Sequence, residues 1–141
     1  KQNIKTICDK FDIICDGTDN FETRYLINDY CLKDKKVLVS AAINRFDGQV
    51  FNFNFKKKNT PCFRCFMPEI PQVENNCDAD GVVSTLAGIA GSLQANEVIK
   101  TILGKKNDMI GKVLVFNSLK SDFRKIRLTK NVNCIKECTK K

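Results

Sequence analysis

Three groups of residues in this chain have the types and spacing that do chemistry. The first is a set of cysteines: Cys62-Phe63-Arg64-Cys65 and Cys134-Ile135-Lys136-Glu137-Cys138. Together they offer four thiolates, the set that encloses a structural zinc ion tetrahedrally. The 68 residues between the pairs exceed anything in a compact zinc finger, so a metal there would clip an internal loop to the C-terminal tail. Free thiols are the alternative, and the three-residue gap before Cys138, where two is commoner, makes it the least regular ligand. The second group is the turn Asp16-Gly17-Thr18-Asp19-Asn20. An acidic turn that closes a parallel strand and opens a helix lies where α/β sheets bind ligands. There a carboxylate can hold Mg²⁺ on nucleotide phosphates and an Asn can hydrogen-bond phosphate or ribose. Asp and Asn at such positions are also ordinary helix caps. The third is Cys77, within Glu74-Asn75-Asn76-Cys77-Asp78-Ala79-Asp80, just ahead of a long helical segment. A helix start lowers a thiol pKa, but Asp78 and Asp80 raise it, so electrostatics alone makes Cys77 an ordinary loop thiol.

The elements that must position these groups follow from the apolar pattern. FDIICDGT (11–18) reads as a short buried parallel strand, reached almost directly from the start of the chain. Thr18 or Asp19 can cap the helix that follows, in which Phe21, Tyr25 and Leu26 share a face. VLVSAAI (37–43) is a second buried strand, so the order strand, helix, strand predicts a parallel pair. GQVFNFNF (48–55) alternates, with Phe53 and Phe55 on one face and Asn52 and Asn54 on the other, as a half-exposed antiparallel strand would. Residues 56–80 hold all three prolines and three cysteines and read as a long functional loop. A helix from Val82 to Leu103 carries Leu86, Ile89, Leu93, Ile99 and Ile102 or Leu103 on its stripe and ends at Gly104. Gly88 and Gly91, one turn apart, suggest close packing on the sheet. KVLVFNSL (112–119) and FRKIRLTK (123–130) make a hairpin.

At 141 residues the chain is one domain's worth of polypeptide, with no apolar run near the roughly 20 residues a membrane helix needs. Its opening lacks both an initiator Met and a signal-peptide layout, which reads as a fragment in a reducing, cytoplasmic compartment. Cys8, Cys15 and Cys31 lie in apolar segments and read as buried, inert thiols. The net charge of +8 comes from 19 Lys and 5 Arg scattered along the chain, apart from Lys56-Lys57-Lys58. That is a lysine-coated surface rather than a nucleic-acid stripe. The rival, a zinc-stabilised module binding nucleic acid, needs Phe51, Phe53 and Phe55 exposed for stacking.

Five motifs in order, DGTDNFETRYLIND, AAINRFDGQV, PCFRCFMPE, NCDADGV and GIAGSLQANEVIK, resemble the second half of the MoeB/ThiF/HesA family of ubiquitin-activating-like adenylyltransferases. The resemblance runs from about residue 10 to 138. It implies a Rossmann-like α/β fold in part: later parallel strands, antiparallel strands, a long helix and a four-cysteine zinc clip. Residues 1–141 would then be one domain, the C-terminal portion of an adenylation domain. The implied activity is ATP-dependent adenylation of the C-terminal glycine of a ubiquitin-like sulfur carrier ending in Gly-Gly. That step prepares the carrier for thiocarboxylation in molybdopterin, thiamine or tRNA-thiolation pathways.

By the same resemblance Asp19 binds Mg²⁺-ATP and serves adenylation, Asn20 contacts the nucleotide, and Cys62, Cys65, Cys134 and Cys138 hold zinc. Cys77 takes the place of a cysteine that links covalently to the carrier in several members. A sulfur-donor protein and a homodimer are implied partners; a membrane and nucleic acid are not. Activation of a protein-conjugating modifier is the alternative within the family, weakened by the lack of a C-terminal ubiquitin-fold domain in these residues. The family's Gly-rich nucleotide loop, Arg and Lys have no match here, for no GxGxxG occurs in the chain. These residues alone are therefore expected not to adenylate.

Overall fold

The computed structural model describes residues 3–70 and 81–134. Among these residues nine elements follow in order: α1 (Ile4–Cys8), β1 (Ile13–Asp16), α2 (Phe21–Lys33), β2 (Val37–Asn44), β3 (Asp47–Asn54), α3 (Phe63–Phe66), α4 (Thr85–Ile102), β4 (Lys112–Asn117) and β5 (Asp122–Arg127). The short helix α1 stands where the sequence suggested entry straight onto a strand.

The five strands form one sheet in the order β1-β2-β3-β4-β5. β1 and β2 pair in parallel, Ile13 opposite Val37 and Asp16 opposite Ser40, with α2 as the connection between them. The remaining pairs are antiparallel, so the fold is α/β with a parallel beginning and an antiparallel remainder. Only Arg45 and Phe46 separate the paired residues Asn44 and Asp47, and Arg45 takes the positive φ of 51° that so tight a turn requires.

Alternation along the central strands feeds two cores. Leu38, Phe51, Phe53 and Val113 turn toward α2 and α3, where they meet Tyr25, Cys31 and Phe63. Val37, Val39, Ala41, Val50 and Phe116 turn the other way, toward Leu86 and Ala90 of α4. Because helices cover both faces, β3 is not the half-exposed strand its alternation suggested. Asn52 is fully buried and donates from Nδ2 to Glu97 Oε2 of α4 at 3.0 Å. A polar residue there faces a buried helical carboxylate, not solvent. Phe51, Phe53 and Phe55 are buried too, against the stacking platform that the nucleic-acid rival needs.

α4 ends as expected: Gly104 has φ +60° and its N–H donates to Thr101 O. Its stripe is narrower than the sequence implied. Leu86 and Leu93 pack on the sheet, while Ile89, Ile99, Ile102 and Leu103 are exposed. A Cβ at Gly88 or Gly91 would meet nothing within 4 Å, so these glycines do not serve close packing among the described residues. Cys8 and Cys31 are buried, but Cys15 is exposed, because alternation on β1 places it opposite Ile14 and Asp16. No helix among the described residues is long and apolar enough to cross a membrane.

Candidate functional site

The turn after β1 is built around a buried carboxylate. Asp16 Oδ1 accepts from the Thr18 N–H at 2.9 Å and the Thr18 hydroxyl at 2.7 Å, and Oδ2 accepts from the Ser40 hydroxyl at 2.6 Å. Arg24, buried in α2, completes the lock. Its Nε lies 3.8 Å from Asp16 Oδ2, and its Nη2 donates to the carbonyls of Ala41, at 3.0 Å, and Thr18. Burial lowers the Arg24 pKa from its ordinary value, and the charge of Asp16 pulls it back up. On the other face of the sheet, Gln94 Nε2 of α4 donates to Asp16 O at 2.9 Å and to Val39 O at 2.8 Å. The end of β1 is thus pinned from both sides.

That scaffold presents Asp19 and Asn20 to solvent. The cap of α2 is Asn20, whose Oδ1 accepts from the Thr23 N–H at 2.9 Å. Neither Thr18 nor Asp19, the two caps expected, takes that place: Thr18 donates its hydroxyl to Asp16 Oδ1, and Asp19 Oδ1 accepts from Asn20 instead. Asn20 Nδ2 donates to Asp19 Oδ1 at 3.2 Å, which orients that carboxylate beside the positive end of a 13-residue helix. A helix start favours phosphate, and a carboxylate next to it favours the cation that accompanies phosphate.

α2 also organises the thiols. Its Asn28 Oδ1 accepts from the Phe63 N–H at 2.9 Å, and its Asp29 takes both Nε and Nη2 of Arg64 at 2.8 Å. Those bonds seat α3, which begins just after Cys62 and contains Cys65. The Sγ atoms of Cys62 and Cys65 stand 3.8 Å apart and those of Cys62 and Cys134 3.3 Å apart. All three lie within 4.8 Å of one another. Zn–S bonds of about 2.3 Å in a tetrahedron put sulfurs about 3.8 Å apart, so this donor set fits zinc. Burial pushes the Cys62 thiol up to about 12. Burial also works to raise Cys65, but hydrogen bonds from the backbone of Cys62 and Asn131 and from the side chains of Cys134 and Cys62 together outweigh it, and its pKa falls. Cys138 and Cys77 lie outside the described residues.

The structure therefore gathers three of the four predicted metal ligands and holds Asp19 and Asn20 side by side. Sequence reasoning missed Arg24, Ser40, Gln94 and Asn28, which carry the framework. A polar residue between apolar neighbours in a buried element, such as Ser40 between Val39 and Ala41, was the available signal.

The ThiF family model matches residues 1–136. The chain is 41% identical over 136 residues to "Adenylyltransferase and sulfurtransferase MOCS3" of Culex quinquefasciatus, covering 94% of this chain and 31% of that protein. It is 42% identical over 130 residues to "Probable molybdopterin-synthase adenylyltransferase" of Pyropia yezoensis, covering 90% and 34%. It thus spans about a third of these relatives. Among solved structures, E. coli MccB with ATP superposes with a TM-score of 0.71 at 15% identity, covering 92% of this chain and 40% of that one. The heterocyclase TruD superposes at 0.63 with 13% identity, covering 86% and 21%. These structures share the fold, and the match over nearly the whole chain assigns it: the chain belongs to the ThiF family.

Proposed function

We propose that these residues form the C-terminal portion of an adenylation domain that activates the C-terminal glycine of a ubiquitin-like sulfur carrier. The observation that carries the reading is the exposed Asp19 carboxylate, held at the end of parallel β1 and the start of α2 by buried Asp16, Arg24 and Ser40. The relatives' printed names, adenylyltransferase in both cases, support it.

In this reading the carrier's terminal carboxylate attacks the α-phosphorus of ATP, forming the acyl-adenylate and releasing pyrophosphate. A sulfur nucleophile then displaces AMP. Asp19 would hold Mg²⁺, which supplies neutralisation of phosphate charge. Asn20 orients Asp19 and stands beside the nucleotide. Cys62, Cys65, Cys134 and Cys138 would hold zinc, which supplies a cross-link between α3 and the tail. Cys77 is proposed as the thiol that receives the activated carrier or passes sulfur to it. A sulfur-donor protein and a second copy of the chain complete the proposed partners, and the proposed compartment is the cytoplasm.

The test is carrier-dependent ATP–pyrophosphate exchange by the full-length protein that contains these residues. Exchange that appears with the carrier and vanishes in Asp19→Ala supports the reading. Exchange untouched by the substitution would remove Asp19 from the adenylation reading. The 141 residues alone are expected to give none; exchange by them would refute the need for a glycine-rich loop.

A further inference from the structure

α4 turns two polar side chains toward the sheet that its apolar ones cover. Gln94 and Glu97 stand about one turn apart in GIAGSLQANEVIK, flanked by Leu93 and Val98, which pack on the same face. Glu97, 5% exposed, accepts from Asn52 Nδ2 of β3 and pairs with Lys100 on its own helix. Gln94 reaches further. α4 lies mainly over β2 and β3, yet Gln94 Nε2 directs both its protons to carbonyls of adjacent parallel strands. These are Asp16 O of β1 at 2.9 Å and Val39 O of β2 at 2.8 Å. The Glu97 bond fixes the helix on the sheet, and the Gln94 amide carries that fixed position across to β1.

β1 has need of a hold. It is four residues long and, among the described residues, pairs with β2 alone. The ends of such short edge strands open most readily. Asp16 is its last residue, and the Asp16 carbonyl belongs to the peptide bond that opens Gly17-Thr18-Asp19-Asn20. A Cβ at Gly17 would meet nothing within 4 Å, and Gly17, Asp19 and Asn20 are exposed, so packing does not place this turn. Hydrogen bonds do. From the α2 side, Arg24 and Ser40 hold the Asp16 carboxylate and Arg24 holds Thr18 O. From the α4 side, Gln94 fixes the plane of the Asp16–Gly17 peptide. A tilt of that plane displaces the carboxylate three residues on, and small displacements of a working group are costly in rate.

We propose that Gln94 is a positioning residue of the candidate site: by bridging Asp16 O and Val39 O it sets, from α4, where the Asp19 carboxylate stands. The inference rests on the adenylation reading and adds to it a task for α4, the element on the opposite face of the sheet from α2. Gln94 acts through the strand end, on the hold that Asp19 has on its cation, and leaves the binding of the carrier alone.

The experiment is Gln94→Met in the full-length protein, which keeps the length of the side chain and removes both N–H donors. Amide hydrogen exchange should quicken at residues 17–20, Thr18 above all, and hold in α3. In carrier-dependent ATP–pyrophosphate exchange, the Mg²⁺ concentration for half-maximal rate should rise about fivefold to tenfold, the scale of one lost hydrogen bond. The KM for carrier and the zinc content should hold. Leu93→Ala is the control: it removes packing beside Gln94 and should lower stability at least as much, with no change in the Mg²⁺ requirement. Gln94→Glu, which keeps the shape and donates nothing when ionised, should repeat the shift and serves if the methionine variant does not fold. Unchanged amide exchange at 17–20 would overturn the anchoring. Faster amide exchange with an unaltered Mg²⁺ requirement would overturn the positioning role, as would an equal shift in Leu93→Ala. Lack of carrier-dependent activity in the unsubstituted protein sinks the adenylation reading, whereas the amide-exchange result still decides whether Gln94 holds the turn.

Discussion

Asp16 and Arg24 face each other at 3.8 Å with side chains 0% and 6% exposed, and neither depends on the other alone. Asp16 also accepts from Thr18 and Ser40, and Arg24 also donates to Thr18 and Ala41. A buried pair satisfied this fully is costly to break from one side. Arg24→Met should destabilise the fold by about 3–5 kcal/mol in chemical denaturation, since it strands a buried carboxylate and two carbonyls. A loss below about 1 kcal/mol would show that the hydroxyls alone hold the turn.

Asp19 is the opposite case. It is exposed and serves no core, so Asp19→Ala should change stability by no more than about 0.5 kcal/mol. Pyrophosphate exchange by the full-length protein should nevertheless fall about a hundredfold or more, the scale of losing a metal-holding carboxylate. A comparable loss of stability and activity would mean that the substitution acts through the fold.

The thiol cluster predicts a composition. Elemental analysis of the purified protein should find about one zinc per chain. Cys62→Ser should abolish it and lower the melting temperature, because the Cys62 sulfur stands within 3.8 Å of both described partners. Metal-free protein with an unchanged melting temperature would reduce the cluster to packed thiols.

Gly48 faces Phe116 across β3 and β4. A Cβ there would fall 2.0 Å from Phe116 Cζ, inside any real contact. Gly48→Ala should cost about 1–3 kcal/mol through overpacking. The double variant Gly48→Ala, Phe116→Leu should recover part of that loss, which thermal melts of the unsubstituted protein, the two single variants and the double variant will show. Additive losses would place the strain elsewhere.

Cys77 separates the two proposed stages. In the full-length protein, Cys77→Ala should leave exchange near normal and impair thiocarboxylate formation on the carrier, with loss of a reductant-sensitive conjugate. Thiocarboxylate formed at the unsubstituted rate would leave Cys77 a loop thiol.

The parallel β1–α2–β2 unit was legible because Ile13, Ile14 and the run from Val37 to Ile43 are apolar and bounded by charged or turn residues. The grouping of Cys62, Cys65 and Cys134 was legible because close cysteine spacing has few other meanings. What misled was polarity read as exposure. Asn52 alternates with phenylalanines as a solvent-facing residue would, yet Glu97 comes down from α4 to meet it, 45 residues later in sequence. No local pattern encodes a partner that distant. Arg24 was hidden likewise, since a lone Arg in an amphipathic helix looks like surface until Asp16, Ser40 and Ala41 surround it. The exposed Ile99 and Ile102 show the converse, apolar spacing without a described face to cover it.

β3 and β4 are neighbours in the sheet, yet Asn54 and Lys112 lie on either side of a long excursion through α3 and α4. The pairs β2–β3 and β4–β5, by contrast, are joined by short turns. Local hairpins close quickly and distant strands slowly, because chain entropy must be surrendered before any contact rewards it. The molecule should accordingly fold as two early hairpins whose joining is the slow event. Lengthening the excursion would then delay folding more than it weakens the native state, since closure entropy grows only logarithmically with loop length.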